Sequence, residues 1–257
     1  MPPKPAPWRP LFATHLSQST SFTLSTITRD PKGKIVPRSR TCQLRGFWPT
    51  PSLHPSAVEA LKSQGVGLNP DVYESDMLSL TTDIRMEKAG QIRASGAVEG
   101  MFWVGGVGNQ WRVKGEAFVL GGVFGDGQWE EESRRGVLEG MRVVSSHDDG
   151  GGGGGGDGEG WEWERQVTAY FANLSPVMRG SFKNPPPGTP RSEEPGPGLD
   201  LGQTVDDLRD KIARRNFRVV VIRPEEVERL DLSDMQNVRR VRWTLDGEDW
   251  VETELWP

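Results

Sequence analysis

Along this chain, apolar and polar positions alternate in short runs more often than they recur at helical spacing, which predicts a mainly β protein. Residues 22–28 alternate apolar and hydroxyl side chains, and an Asp-Pro-Lys-Gly turn at 30–33 leads into a second strand over 38–47. Residues 77–82 read as a further short strand. Residues 96–104 and 109–120 form a predicted hairpin about the glycine-rich turn at 105–108. That cluster joins two strands rather than a strand to a helix, so it is not a nucleotide loop. Towards the C-terminus, 217–223 is a strongly apolar strand ended by Pro224. Strands over 227–232, 238–245 and 250–255 follow, the last two joined at Asp246-Gly247. Helical spacing is confined to 7–18, 54–64, 164–173, 205–215 and a segment beginning at Asp83. Many short strands with few helices predict a closed antiparallel barrel decorated by peripheral helices. One domain over 1–257 is expected, with low-complexity insertions at about 122–163 and 184–203. The glycine run at 150–156 marks the first as structureless.

Composition narrows the function. The hydrophobic share of 34% is low, and the deficit falls in the two insertions. Trp8, Trp48, Trp103, Trp111, Trp243 and Trp250 lie in or beside predicted elements and read as packing residues. A net charge of −5 argues against a nucleic-acid binder. The lone cysteine, Cys42, excludes an internal disulfide and a cysteine zinc site. His15, His54 and His147 are scattered, so no histidine metal centre is expected. None lies in a barrel strand, which argues against haem. No apolar run is long enough to span a membrane. The N-terminus lacks a hydrophobic signal core. Its first 29 residues are free of acid and rich in Ser and Thr, a mitochondrial hint. Because 22–28 reads as a core strand, the expected compartment is the cytosol.

The charges supply candidate chemistry. Arg38 and Arg40 share one strand face, while Arg45 points the other way unless a bulge intervenes. Same-face arginines are costly unless water or an anion meets them. They form either a charged edge strand or a phosphate cradle. With Asp83 as N-cap, Arg85 and Lys88 sit three apart near a helix start, where cations oppose the dipole and ask for an anion. A solvated helical face is the alternative. Gln110, Arg112 and Lys114 share a face opposite Trp111 and Val113, and that polar face is either solvated or lines a ligand.

Three stretches then occur in order: Arg40-Thr-Cys-Gln-Leu-Arg45-Gly-Phe, Leu80-Thr-Thr-Asp-Ile-Arg-Met-Glu-Lys88 and Gln110-Trp-Arg-Val-Lys-Gly115. Together they resemble the FMN-binding motifs of the pyridoxamine 5′-phosphate oxidase-like flavoproteins, and the Thr-Thr-Asp-x-Arg-x-x-Lys form resembles the Alr4036-type branch. The resemblance implies an antiparallel split β-barrel of the FMN-binding type, with flanking helices, assembled as a homodimer with FMN at the interface. It implies an FMN-dependent oxidoreductase acting on a small molecule, or a flavin-binding module without turnover. Arg40 and Lys88 resemble the phosphate ligands, with Arg85 a third. Thr81 and Thr82 resemble donors near the phosphate and ribityl chain, and Arg45 and Gln110 resemble groups along the flavin ring. Arg239 or Arg240 is similar to an arginine that reaches the flavin from the partner chain. Two departures stand out. Glu87 occupies the place of an arginine that precedes the lysine in the oxidase. Asn237-Val238-Arg239-Arg240 lacks the histidine of the substrate-holding Arg-x-His pair, so vitamin B6 oxidase activity is not implied.

Overall fold

The computed structural model describes residues 1–125, 127–144 and 160–257. Helix α1 (Arg9–Leu16) leads into strands β1 (Ser21–Arg29) and β2 (Ile35–Phe47); α2 (Pro55–Ser63), β3 (Tyr73–Glu74), β4 (Leu78–Asp83) and α3 (Glu87–Ser95) follow. The hairpin of β5 (Ala97–Val104) and β6 (Asn109–Leu120) precedes α4 (Gln128–Leu138), β7 (Arg142–Val143), α5 (Trp163–Ala172), α6 (Pro176–Gly180) and α7 (Lys211–Asn216). Strands β8 (Phe217–Asp231), β9 (Arg239–Asp246) and β10 (Asp249–Leu255) complete the elements. Among the described residues, no helix is long and apolar enough to cross a membrane.

Pairing runs β8-β4-β2-β1-β5-β6, and β6 returns to β8, so the barrel closes. Closure leaves the ring itself without a terminal strand, while β9 and β10 extend from β8 and β10 pairs on one edge only. The β1–β2 turn forms where the sequence predicts it: the Asp30 carboxylate accepts the N–H groups of Lys32 and Lys34, both at 2.9 Å.

Strand β8 is the longest, and it closes the ring. One edge pairs β6 from Val219 to Asp231; the other pairs β4 over Phe217–Ile222 and then β9 over Glu226–Asp231. The sequence predicts two strands broken at Pro224, yet the strand runs through it. Proline lacks an N–H, and here it stands where β8 changes neighbours and β6 bulges between Lys114 and Gly115. A Cβ on Gly115 would fall on the Arg223 carbonyl, so the bulge requires glycine.

Over Phe217–Ile222 both faces of β8 are buried, which explains its apolar run there. Val220 and Ile222 join the barrel interior with Leu24, Leu80, Phe102 and Trp111. Phe217, Val219 and Val221 face a second core beneath α2, α5 and α7 with Trp48, Leu61, Tyr170 and Phe171. Most of the tryptophans named above pack as expected, but Trp103 stands about half exposed at 49%. The buried Asp76 carboxylate ties distant segments, accepting from Ala6 N–H at 3.0 Å, Arg9 at 3.0 Å and Arg142 at 2.8 Å.

Three expectations need correction. Asp83 does not cap α3; the helix starts at Glu87 after Met86, and the Asp83 carboxylate instead accepts the Arg85 N–H at 2.8 Å in the preceding turn. Residues 205–209 are not helical, because Asp210 caps α7 by accepting from Ile212 and Ala213. The insertion expected at about 122–163 contains α4, with Ser133 and Val137 buried, and β7 paired with β3. His147 and the glycine run at 150–156 lie outside the described residues.

Gly115→Ala should lower stability by about 2–3 kcal/mol, a fall in melting temperature of roughly 5–10 °C by circular dichroism. Gly33→Ala, where φ is +80° but nothing lies within 4 Å, should cost only about 1 kcal/mol. Equal losses would remove the packing account of the bulge.

Candidate functional site

A cleft of about 640 Å³ opens between the barrel edge at β2 and β4, the start of α3 and the segment after α5. Its size falls in the range of small-molecule sites. Thr41, Gln43 and Arg45 come from β2, Thr81 and Thr82 from β4, and Lys88 from α3.

Arg45 shares a face of β2 with Thr41 and Gln43, and alternation turns all three to the cleft, with a bulge at Arg45 itself. Leu44 pairs with Leu80 and Gly46 with Ser79, so Arg45 is the extra residue of the register shift. Gly46 permits it with φ +105°. Arg45 Nε donates a long hydrogen bond to Thr81 Oγ1 at 3.4 Å. Burial pulls its guanidinium below the ordinary value.

Lys88 is the second residue of α3, and Met86 at the N-cap position makes no side-chain capping bond. The ammonium donates to the Met86 thioether at 2.9 Å, a weak acceptor. Burial lowers its pKa, Cys42 and Asp83 act in the opposite sense, and Arg40 adds to the depression. Among the described residues, neither Arg45 nor Lys88 forms an ion pair with a carboxylate. Two partly desolvated cations beside threonine hydroxyls and an uncapped helix start suit an anion.

The other predicted residues are placed differently. Arg40 does not line the cleft. It donates to Thr26 Oγ1 and Gln91 Oε1 at 2.7 Å each, and to the carbonyls of Leu24 and Arg38. Its donors are thus met by neutral acceptors while its charge still reaches Lys88. Arg85 precedes α3 and grips Asp83 through both oxygens, with contacts of 2.6 and 2.9 Å. It also donates to the carbonyls of Asn184 at 3.0 Å and Phe182 at 3.2 Å. Arg85 therefore ties the β4–α3 turn to the loop after α6. Gln110, on β6, accepts from Arg112 at 3.1 Å, and Arg240, on β9, pairs with Glu228 at 2.9 Å. Arg239 stands opposite Asp231 on β8. Within one chain, Gln110, Arg239 and Arg240 do not line the cleft.

Sequence reasoning missed two parts of the site. Cys42 is buried in the cleft wall, where burial raises its thiol pKa and Lys88 and Arg40 pull against that rise. Its alternation with Arg40 and Leu44 in the same strand was the available signal. The second part is the far wall, with Leu174, Met178, Phe182, Pro185, Pro187, Arg191 and Leu201. Much of it belongs to the 184–203 stretch, whose proline and glycine content disguises it as a spacer. Of the remaining polar groups, His15 accepts from Trp111 Nε1 at 3.0 Å inside the barrel, and His54 caps α2. No cluster of three or more metal-ligating side chains occurs among the described residues.

Residues 5–121 match the pyridoxamine 5′-phosphate oxidase FMN-binding domain family. No curated protein matches the chain in sequence. A solved pyridoxamine 5′-phosphate oxidase-related, FMN-binding protein from Nostoc punctiforme is similar in structure, with a TM-score of 0.60, 19% identity and coverage of 99% of each chain. PhzG from Burkholderia lata, solved with tetrahydrophenazine-1-carboxylic acid, is similar with a TM-score of 0.48 and 17% identity over 97% of this chain and 89% of that one. The cleft's barrel wall, from Thr41 to Lys88, falls inside the matched residues. Residues 5–121 are thus similar to the pyridoxamine 5′-phosphate oxidase FMN-binding domain family, and the chain has the split-barrel fold of the Nostoc punctiforme protein.

Proposed function

We propose that the chain binds FMN in this cleft and acts as an FMN-dependent oxidoreductase on a small molecule. The observation that carries the reading is the convergence of Arg45, Thr81, Thr82 and Lys88 on one cleft, with no carboxylate ion-paired to either cation among the described residues. That donor set fits a phosphate monoester, which needs charge-assisted donors from several rigid elements. Lys88 and the start of α3 hold the phosphate, and Arg40 behind them raises the local positive potential. Thr81 and Thr82 serve the ribityl chain, Arg45 the ring end, and the apolar far wall excludes water. When bound, FMN supplies the redox chemistry, and the protein supplies binding and electrostatics. In the same reading two copies associate, and Gln110 with Arg239 or Arg240 of one copy reaches the flavin of the other.

One observation favours a second reading, in which flavin is held without turnover. Asp83 is the only carboxylate among the described cleft residues, and Arg85 holds it in a bidentate pair. No free acid–base pair accompanies the cofactor there.

Titration of purified protein with FMN, followed by flavin absorbance and fluorescence, should give saturable one-to-one binding per chain. Arg45→Ala and Lys88→Ala should each weaken it about tenfold to a hundredfold, the worth of one charge-assisted hydrogen bond. No FMN binding, or unchanged affinity in both variants, would overturn the site. Anaerobic mixing of the loaded protein with NADPH then separates the two readings: bleaching of the flavin supports the oxidoreductase, and none supports the holder.

Affinity should also follow pH in a defined sense. The phosphate gains its second charge near pH 6, so binding should strengthen as pH rises through that value. Lys88 is charged only below its pKa, which burial lowers, so binding should weaken on the alkaline side before an ordinary lysine would titrate. Lys88→Arg should move that alkaline loss to higher pH. An alkaline limb that stays put in Lys88→Arg would show that another group sets it.

A further inference from the structure

The two walls of the cleft differ in chemistry, and the cofactor's needs account for only one of them. The barrel wall carries the hydroxyls, Arg45 and Lys88. On the far wall, Leu174, Met178, Phe182, Pro187 and Leu201 present apolar surface, and Arg191 is its one charged residue among those described. Arg191 is exposed, and among the described residues no hydrogen bond or ion pair engages its guanidinium.

This wall is fixed at its base. Arg85 donates to the carbonyls of Phe182 and Asn184, Asn216 Nδ2 donates to Phe182 at 2.8 Å, and Lys183 pairs with Asp210 at 3.1 Å. Gly180 packs against the Gln203 carbonyl so closely that a side chain there would collide, which pins the two ends of the segment together. An anchored apolar surface with one unpaired guanidinium at its mouth is a defined chemical environment.

We propose that the far wall is the substrate subsite and that Arg191 determines specificity, selecting an apolar molecule that bears one carboxylate or sulfonate. The proposal rests on FMN occupying the barrel wall. The apolar body gains by leaving water against leucine, methionine, phenylalanine and proline. The guanidinium's planar fork matches a carboxylate or sulfonate in bidentate geometry. A neutral analogue would cover Arg191 without compensating its lost hydration. A cationic one would meet Arg45, Lys88 and Arg191 together.

The test uses the FMN-loaded protein and two probes of one shape, 2-naphthoate and 2-naphthamide, with affinities read by calorimetry. Wild-type protein should bind naphthoate about tenfold more tightly than naphthamide, the lower end of what one charge-assisted pair contributes. Arg191→Gln should bring that ratio close to one while leaving FMN affinity and naphthamide affinity unchanged. Leu201→Ser should weaken both probes alike and keep the ratio. A ratio near one in the wild type, or a ratio that survives Arg191→Gln, overturns the proposal. So does a loss of FMN affinity in Arg191→Gln, which would make Arg191 a cofactor ligand. Failure of wild-type protein to load FMN removes the cofactor reading and this subsite together, whereas normal loading with a flat ratio removes the subsite alone.

Discussion

The structure depends on how β8 closes the barrel. A strand that pairs on both edges and is buried on both faces must be apolar at nearly every position, and Phe217 to Ile222 meets that demand except at Arg218. Because β8 serves the barrel core with one face and the helical layer with the other, the two cores cannot form independently. Its first half also fixes β4, from which Thr81 and Thr82 line the cleft. The β4 side of the site is thus set beside a strand whose small displacements are resisted by packing on both faces.

The cations divide into distinct roles once burial and partners are considered. Arg85 resembles a phosphate ligand by motif, but its donors are taken by Asp83 and two carbonyls. Arg40 stands behind the cleft, bonded to neutral oxygens. Arg45 and Lys88 are left facing the open volume. Burial without an ion pair separates a ligand-binding cation from a structural one more sharply than position in a motif does.

Much of the fold was legible because its signals are local. Alternation over 22–28 and the turn at Asp30 give β1 and β2, and the apolar run at 217–223 gives the start of β8. What was not legible depends on tertiary context. Pro224 reads as a strand terminator, yet a bulge on β6 makes its missing N–H harmless. Asp83 reads as a cap, yet it serves the turn and Arg85 instead. The candidate site was half legible. Arg45, Thr81, Thr82 and Lys88 stand on strands and a helix whose periods are readable. The far wall is built from a proline- and glycine-rich stretch, where no period exists to show which side chains turn inward.

Cys42 gives the cleft an unusual chemical handle. It is the chain's only cysteine, and it lies in the wall of the cleft within the electrostatic reach of Arg40 and Lys88. A thiol-directed label therefore has a single address in this protein, inside the site rather than on the surface. A small fluorinated or spin-bearing tag placed there would report solvent, charge and motion from within the cleft, with no need to remove or introduce any other residue.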